Sequence, residues 1–164
     1  MIEYNFPQQA YFDNVGISNS GLGLIAKSPA HYQASLQMTR KQTPALQLGS
    51  AVHCAVLEPE EFGKRYALAE FDRRTKEGKA AYQEMLENGQ EGLSADMYTT
   101  VLGIQKAIST HPLASEFLTG GDAEVSCFQV IDGTHTKARA DYLRKDGIIV
   151  DLKTTQDEIG RAHV

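Results

Sequence analysis

Two acidic residues and a lysine near the carboxyl end of the chain are spaced so that their charged groups could meet on one face of a sheet. In the segment "DYLRKDGIIVDLKTT", Asp141 precedes a polar turn, and the apolar run after that turn carries Asp151 and Lys153. Successive side chains of a strand alternate between the faces of a sheet, so Asp151 and Lys153 share a face. Placing carboxylates and an ammonium group inside a sheet is unfavourable unless their charges are neutralised.

The turn before this apolar run predicts how its two strands pair. If "KDG" is a three-residue hairpin loop with Gly147 in the left-handed conformation, Arg144 pairs with Ile148. The same register then places Asp141 opposite Asp151. The chemistry requires such an odd loop, or a bulge near the turn that restores the phase, because a one-residue slip would move the Asp141 side chain to the other face.

A second turn extends the acidic row to a third strand. A two-residue turn at Asp132 and Gly133 places Glu124 opposite Asp141, so that three carboxylates would lie side by side. Like charges directly opposed in a sheet are destabilising, and divalent Mg²⁺ or Mn²⁺ is the simplest compensation. The alternative is that one or more of these acids faces solvent.

The remaining sequence predicts helices first and strands afterwards. Capping residues and prolines predict helices through the first two-thirds of the chain, in "GLGLIAK", "SPAHYQASLQM", "ALQLGSAVHCAVLE", "TKEGKAAYQEMLENG", "SADMYTTVLGIQKAIST" and "PLASEFL". After Gly120 and Gly121 the apolar period falls to about two, which predicts an antiparallel three-stranded meander of "EVSCFQV", "HTKARADYL" and "GIIVDLKT". This order of elements predicts an α+β fold.

Composition and charge exclude some classes of protein and leave others open. The chain has 164 residues, 41% of them hydrophobic, and a net charge of −5, which is the wrong sign for a simple DNA-coating protein but compatible with a metal-dependent enzyme. Cys54 and Cys127 are too few for an iron–sulfur cluster, which takes four cysteines. The sequence shows neither a membrane-length apolar run nor a signal peptide, so we expect a cytoplasmic location without membrane partners.

A histidine upstream is a further candidate for the acidic site. Gly49 and His53 are four residues apart and therefore share a helix face, where glycine would allow close approach to the sheet. A lone histidine among alanine and valine is usually a packed core residue. Beside a row of carboxylates it becomes a candidate metal ligand.

Taken together, these motifs resemble those of the PD-(D/E)xK nuclease superfamily. Asp141 followed by Asp151-x-Lys153 resembles its signature, and Gly49-x-x-x-His53 resembles the upstream histidine motif of its RecB and RecE branches. The segments "SNSGLGLIAKSPAHY", "LGSAVHCAVLEPEEF" and "DRRTKEGKAAY" look like the RecE-type exonuclease VIII domain of phages and prophages. This resemblance covers nearly the whole chain and implies a restriction-endonuclease-like α/β core.

The resemblance also implies a site. Its metal ligands would be His53, Asp141, Asp151, the backbone carbonyl of Leu152 and Glu124, which matches an acidic position before the core strands in relatives. Asp141, Asp151 and Lys153 would be the catalytic residues, with Lys153 orienting the attacking water or stabilising charge on the phosphate. The cofactor would be Mg²⁺, for which Mn²⁺ substitutes, with paired ions about 3.5–4 Å apart.

The function implied by the resemblance is degradation of linear double-stranded DNA, from 5′ to 3′, in phage-type recombination. Such enzymes work with a RecT-like single-strand annealing protein and form rings around DNA. The densest basic stretch, Arg73, Arg74, Lys76 and Lys79, could meet the DNA backbone, although a solvated helix start is the rival interpretation. A function of another class, a catalytically silent DNA-end-binding or assembly module, would not require the intact set of acidic and basic residues.

The end of the sequence differs from the expected pattern. Relatives add a crossover helix, a further strand and a Gln-x-x-x-Tyr motif after Asp-x-Lys, so we expect a single domain over residues 1–157 that is incomplete at its C-terminus. The last residues, 158–164 ("EIGRAHV"), back-translate to a common sequencing-adapter read. We therefore expect them to be a non-native tail.

Overall fold

A computed structural model describes residues 1–38, 42–72 and 74–155. Its helices are α1 (Gln8–Asp13), α2 (Asn19–Lys27), α3 (Pro29–Gln37), α4 (Pro44–Leu57), α5 (Pro59–Arg65), α6 (Lys76–Glu87), α7 (Ala95–Thr110) and α8 (Pro112–Phe117). Its strands are β1 (Ile2–Glu3), β2 (Tyr66–Leu68), β3 (Glu91–Leu93), β4 (Gly121–Ile131), β5 (Thr134–Arg144) and β6 (Ile149–Val150). Helices and sheet are thus both present, in agreement with the α+β prediction.

The predicted helix starts are confirmed by their caps. At five helices the side-chain oxygen of the capping residue accepts a hydrogen bond from the backbone N–H three residues later; the caps are Ser18, Ser28, Thr43, Thr75 and Ser94. Such a bond satisfies one of the N–H groups that a helix leaves unpaired in its first turn. Proline fits the first turn because it lacks that N–H group, and it opens both α3 and α4.

Some short elements were not predicted. Helix α5 was not predicted; Pro59 occupies its first turn, where the fixed φ of proline is compatible with a helix. Helix α1 and the parallel pair β2–β3 also lie outside the predicted pattern. Each strand of that pair has three residues, too few for an alternating pattern to be recognised. No helix in the described ranges has the length and apolarity that crossing a membrane would require.

The chain divides into two compact units, and the first contains Met1–Gln42 and Glu116–Asp151. Its sheet has the strand order β1-β4-β5-β6, so the predicted three-stranded meander gains a fourth strand. Strand β1 runs antiparallel to β4, with Ile2 opposite Cys127 and Glu3 opposite Ser126. The sequence pattern missed β1 because two residues carry no detectable periodicity.

Both predicted hairpin registers are confirmed within this unit. Ile131 pairs with Thr134 across a two-residue turn in which Asp132 and Gly133 have φ values of 48° and 76°. Two successive positive φ values are typical of the type I′ turn, whose twist matches that of the strands. The β4–β5 register therefore has the phase that places Glu124 opposite Asp141.

The second hairpin has the predicted three-residue loop. The N–H of Arg144 donates to the carbonyl oxygen of Ile148 at 2.9 Å, and Gly147 takes the left-handed conformation with φ 88°. Farther from the loop, Tyr142 pairs with Val150. This odd loop sets the β5–β6 phase that the sequence analysis required.

The second unit contains Thr43–Ser115 and the chain from Leu152 onward. Its buried core is centred on α4 and consists of Ala51, Val52, Cys54, Ala55, Phe62, Tyr66, Leu93 and Val101. Leu152 is partly buried and packs against this core. The residues that follow Asp151 therefore belong to the same packed unit as the helix that carries His53.

Candidate functional site

Two strand ladders of the first unit, β4–β5 and β5–β6, lack regular pairing at Asp141. On the β4 side, hydrogen-bonded pairing is present at Ala123–Tyr142 and at Val125–Ala140 but skips the position between them, which Glu124 and Asp141 occupy. On the β6 side, pairing ends at Val150, one residue before Asp151 would face Asp141. Opposed carboxylates repel each other, which disfavours regular pairing at these positions.

The early end of β6 corrects the predicted strand "GIIVDLKT". The strand comprises only Ile149–Val150, so Asp151 and Lys153 follow it instead of lying within it. Both side chains are exposed, whereas Leu152 between them is half-buried. Exposure places the carboxylate and the ammonium group where solvent and a solvent-borne substrate can reach them.

Glu124 has an unusual backbone conformation for a residue inside a strand. Its φ is 53°, in the left-handed region that side chains other than glycine, asparagine and aspartate rarely adopt. Such strain costs about 1–3 kcal/mol and persists only where the surroundings enforce it, often at functional sites. A carboxylate oxygen of Glu124 lies within 4.8 Å of one of Asp141.

A cation that the sequence analysis did not consider lies beside this pair. The Nε of Arg139 donates to Oε2 of Glu124 at 2.6 Å, and the two side chains are only 14% and 20% exposed. Nη1 of Arg139 donates to Oγ of Ser126 at 3.2 Å. The like charges predicted from the sequence are therefore partly neutralised by the protein itself.

The ring of Tyr11, in helix α1, lies against Arg139 and against a second cation, Lys137. The guanidinium carbon of Arg139 lies 5.5 Å from the centre of the Tyr11 ring, and Nζ of Lys137 lies 5.0 Å from it. Lys137 also donates to the carbonyl oxygens of Tyr11, Phe12 and Asn14 at 2.6–3.1 Å. Burial raises the pKa of the Tyr11 phenol, and the charge of Arg139 offsets part of that rise.

The signal for these cations was present in the sequence. Lys137, Arg139 and Asp141 alternate along "HTKARADYL", so period-two counting places all three on one face of the strand. Period-two counting does not show which groups Lys137 and Arg139 contact. Tyr11 is far away in the sequence, and its contact with Arg139 depends on where α1 packs.

In the second unit, His53 is half-buried on α4, between the buried residues Val52 and Cys54. The predicted role of Gly49, close approach to the sheet, is not required by the structure. A methyl group added at Gly49 would lie 3.5 Å from Oγ1 of Thr154, an ordinary van der Waals distance. Gly49 nevertheless marks the side of α4 that faces the segment following Asp151.

The predicted DNA-binding stretch precedes and begins α6 in the second unit. Arg73 lies outside the described residues, and Arg74, Lys76 and Lys79 are exposed. Arg74 forms an ion pair with Asp72, with Nε 3.1 Å from Oδ1, and this hydrogen bonding lowers the pKa of the Asp72 carboxyl. Part of the positive charge of the stretch is thus balanced locally.

The donor set of the first unit fits a hard divalent cation. Carboxylate oxygens are the ligands that Mg²⁺ and Mn²⁺ prefer, and two of them converge at Glu124 and Asp141. Continued one residue past the Tyr142–Val150 pair, the β5–β6 register would place Asp151 opposite Asp141. These residues could therefore hold a metal ion.

The comparison with protein families agrees with this chemistry. Residues 18–163 match the model of a family described as a PDDEXK-like domain of unknown function (DUF3799). No match to the chain was found among curated proteins.

Proposed function

Since the chain belongs to the family of PDDEXK-like domains of unknown function (DUF3799), we propose that it is a metal-dependent nuclease that degrades linear double-stranded DNA. PDDEXK nucleases generally use divalent metal ions. The observation that carries the proposal is the convergence of the Glu124 and Asp141 carboxylates, within 4.8 Å, at the position where the β4–β5 and β5–β6 ladders lack regular pairing. A purely structural sheet gains nothing from opposed acids at its centre.

The proposed metal ligands are His53, Glu124, Asp141, Asp151 and the backbone carbonyl of Leu152. Support for Asp151 comes from the β5–β6 register, in which it is the next residue after the Tyr142–Val150 pair. Support for His53 comes from α4, since Leu152 packs against the core that this helix forms. Mg²⁺ is the proposed ion, and Mn²⁺ substitutes for it because both favour oxygen-rich sites.

In the proposed reaction, the chain's own residues position water and phosphate. A divalent ion bound at the site would lower the pKa of water and stabilise charge on the phosphodiester oxygens. Lys153, exposed two residues after Asp151, orients the attacking water or stabilises negative charge on the phosphate. Asp141 and Asp151 act as metal ligands, and no covalent bond between protein and DNA is required.

The finer features of the proposal follow the RecE-type resemblance. We propose exonuclease action from 5′ to 3′ on DNA ends, in phage-type recombination in the cytoplasm, with a RecT-like annealing protein as partner and a ring as the assembly. Arg73, Arg74, Lys76 and Lys79 are the proposed contacts to the DNA backbone. Binding through such contacts weakens steeply with salt, because the cations release ions condensed on the DNA.

A single assay tests the reaction. The protein is incubated with linear duplex labelled at the 5′ or the 3′ end, in Mg²⁺, in Mn²⁺ and in EDTA. We expect early release of 5′ label as short products, dependent on metal, and loss of activity by at least about 100-fold in Asp151→Ala and Lys153→Ala. Asp96→Ala and Lys145→Ala remove exposed charges elsewhere and should retain activity.

Two outcomes would contradict the proposal. Full activity in Asp151→Ala or Lys153→Ala, with unchanged circular dichroism, would remove these residues from the site. Duplex ends that are bound but never cleaved, in either metal, would favour the catalytically silent end-binding module instead.

A further inference from the structure

We propose that Arg139 is a positioning residue that fixes the carboxylate of Glu124 for metal binding. It would hold one oxygen, Oε2, and leave the other oxygen to the ion. The inference rests on the proposed function, since it requires Glu124 to be a ligand.

Arg139 is held in place from three directions. It donates to Oε2 of Glu124 at 2.6 Å and to Oγ of Ser126 at 3.2 Å, and its guanidinium lies against the ring of Tyr11. Ser126 is fully buried, so its hydroxyl is a fixed acceptor inside the sheet. A guanidinium restrained in this way cannot follow a moving carboxylate and instead determines where the carboxylate lies.

The backbone of Glu124 provides the second argument. Its left-handed φ of 53° directs the side chain differently from that of an ordinary strand residue, at a cost in free energy. In this conformation the Glu124 carboxylate forms its ion pair with Arg139. Carboxylates that bind metals are commonly held by hydrogen bonds from neighbouring groups, and losing such a partner weakens metal binding by about 10–100-fold.

Arg139 could instead serve only as a counter-ion, and the two roles predict opposite effects. A counter-ion that merely neutralises Glu124 competes with the metal, so its removal would tighten metal binding. A positioning residue aids the metal, so its removal would weaken binding. Lysine separates the roles further, because it retains the charge but lacks the planar fork of donors.

The test measures Mn²⁺ binding to the full chain without DNA, by calorimetry and by the electron paramagnetic resonance signal of free Mn²⁺. We expect Arg139→Gln and Arg139→Lys to raise the Kd for Mn²⁺ by about 10–100-fold. Ser126→Ala, which removes one of the bonds that restrain Arg139, should raise it by about three- to tenfold. The control is Lys145→Gln, which removes an exposed cation from the β5–β6 loop of the same sheet and should leave the Kd within about twofold.

The outcomes separate this inference from the proposed function. The positioning role would be overturned if the Kd for Mn²⁺ were unchanged or lower in Arg139→Gln. It would also be overturned if Arg139→Lys bound Mn²⁺ with the Kd of the unaltered protein. In both cases the metal site itself would remain. Absence of Mn²⁺ binding in the unaltered protein would overturn both. If Arg139→Gln fails to fold, Ser126→Ala provides the decision, and an unchanged Kd in that variant counts against the inference.

Discussion

Gly78 and Gly103 should respond in opposite directions to the same substitution. Both lie in helices, α6 and α7, where replacing glycine by alanine ordinarily stabilises a protein by about 1 kcal/mol. At Gly103, which is exposed, an added methyl group meets nothing within 4 Å. At Gly78 it would overlap the carbonyl group of Asp72 and lie 2.9 Å from Oγ1 of Thr75.

The expected loss of stability in Gly78→Ala follows from the hydrogen bonds that the added methyl group would disturb. Asp72 cannot move away without disturbing the bonds that its carbonyl oxygen accepts from the N–H and the hydroxyl of Thr75, at 3.0 and 2.9 Å. The capping bond from the N–H of Gly78 to Thr75, at 3.0 Å, is strained as well. At about 1 kcal/mol for each of three bonds, less about 1 kcal/mol of helix propensity, Gly78→Ala should lower the free energy of unfolding by about 2 kcal/mol.

Urea denaturation followed by circular dichroism measures both variants. Gly103→Ala should raise the free energy of unfolding by about 0.5–1 kcal/mol, which separates the two substitutions by about 3 kcal/mol. Gly78→Ala should also weaken the proposed DNA binding, because Arg74, a proposed DNA contact, is next but one to Asp72. A Gly78→Ala protein as stable as the unaltered chain would refute the steric reasoning, provided that Gly103→Ala behaves as expected.

Three further predictions concern the metal, one buried phenol and one turn. Saturation with Mg²⁺ or Mn²⁺ at about 100 times its Kd should stabilise the protein by about 2.7 kcal/mol, and His53→Ala should reduce the resulting rise in Tm; a melting curve indifferent to both metals would exclude the site. Burial raises the pKa of Tyr66 to about 12. The unfolded phenol ionises near its ordinary pKa of about 10, so stability present below that pH should be lost as the pH approaches about 12, and Tyr66→Phe should reduce this loss in pH-dependent urea titrations. Asp132→Gly should preserve stability at the left-handed turn position, whereas Asp132→Val should lower the free energy of unfolding by about 1–2 kcal/mol, and equal urea midpoints would contradict this.

Local chemistry explains what could be predicted from sequence. The caps at Ser18, Ser28 and Thr43 are local interactions, because each side chain accepts a hydrogen bond from a backbone N–H only three residues later. The turns at Asp132–Gly133 and Gly147 set strand register, because a left-handed residue in a short loop leaves few ways for the strands to pair. Register in turn set the phase of β4 against β5, so the facing positions of Glu124 and Asp141 were predictable.

Tertiary packing determined the side-chain contacts that the alternation of residues along a strand cannot predict. The sequence alone determined that Lys137, Arg139 and Asp141 share a face, since alternation is a property of any strand. Only the folded chain determined that Arg139 pairs with Glu124 and lies on the ring of Tyr11, because these contacts join segments more than 10 and more than 100 residues apart. The left-handed backbone of Glu124 and the end of β6 at Val150 were likewise not predictable from the alternation of strand residues. Each is a local departure from regular strand geometry, stabilised by neighbours that are brought together only when the sheet forms.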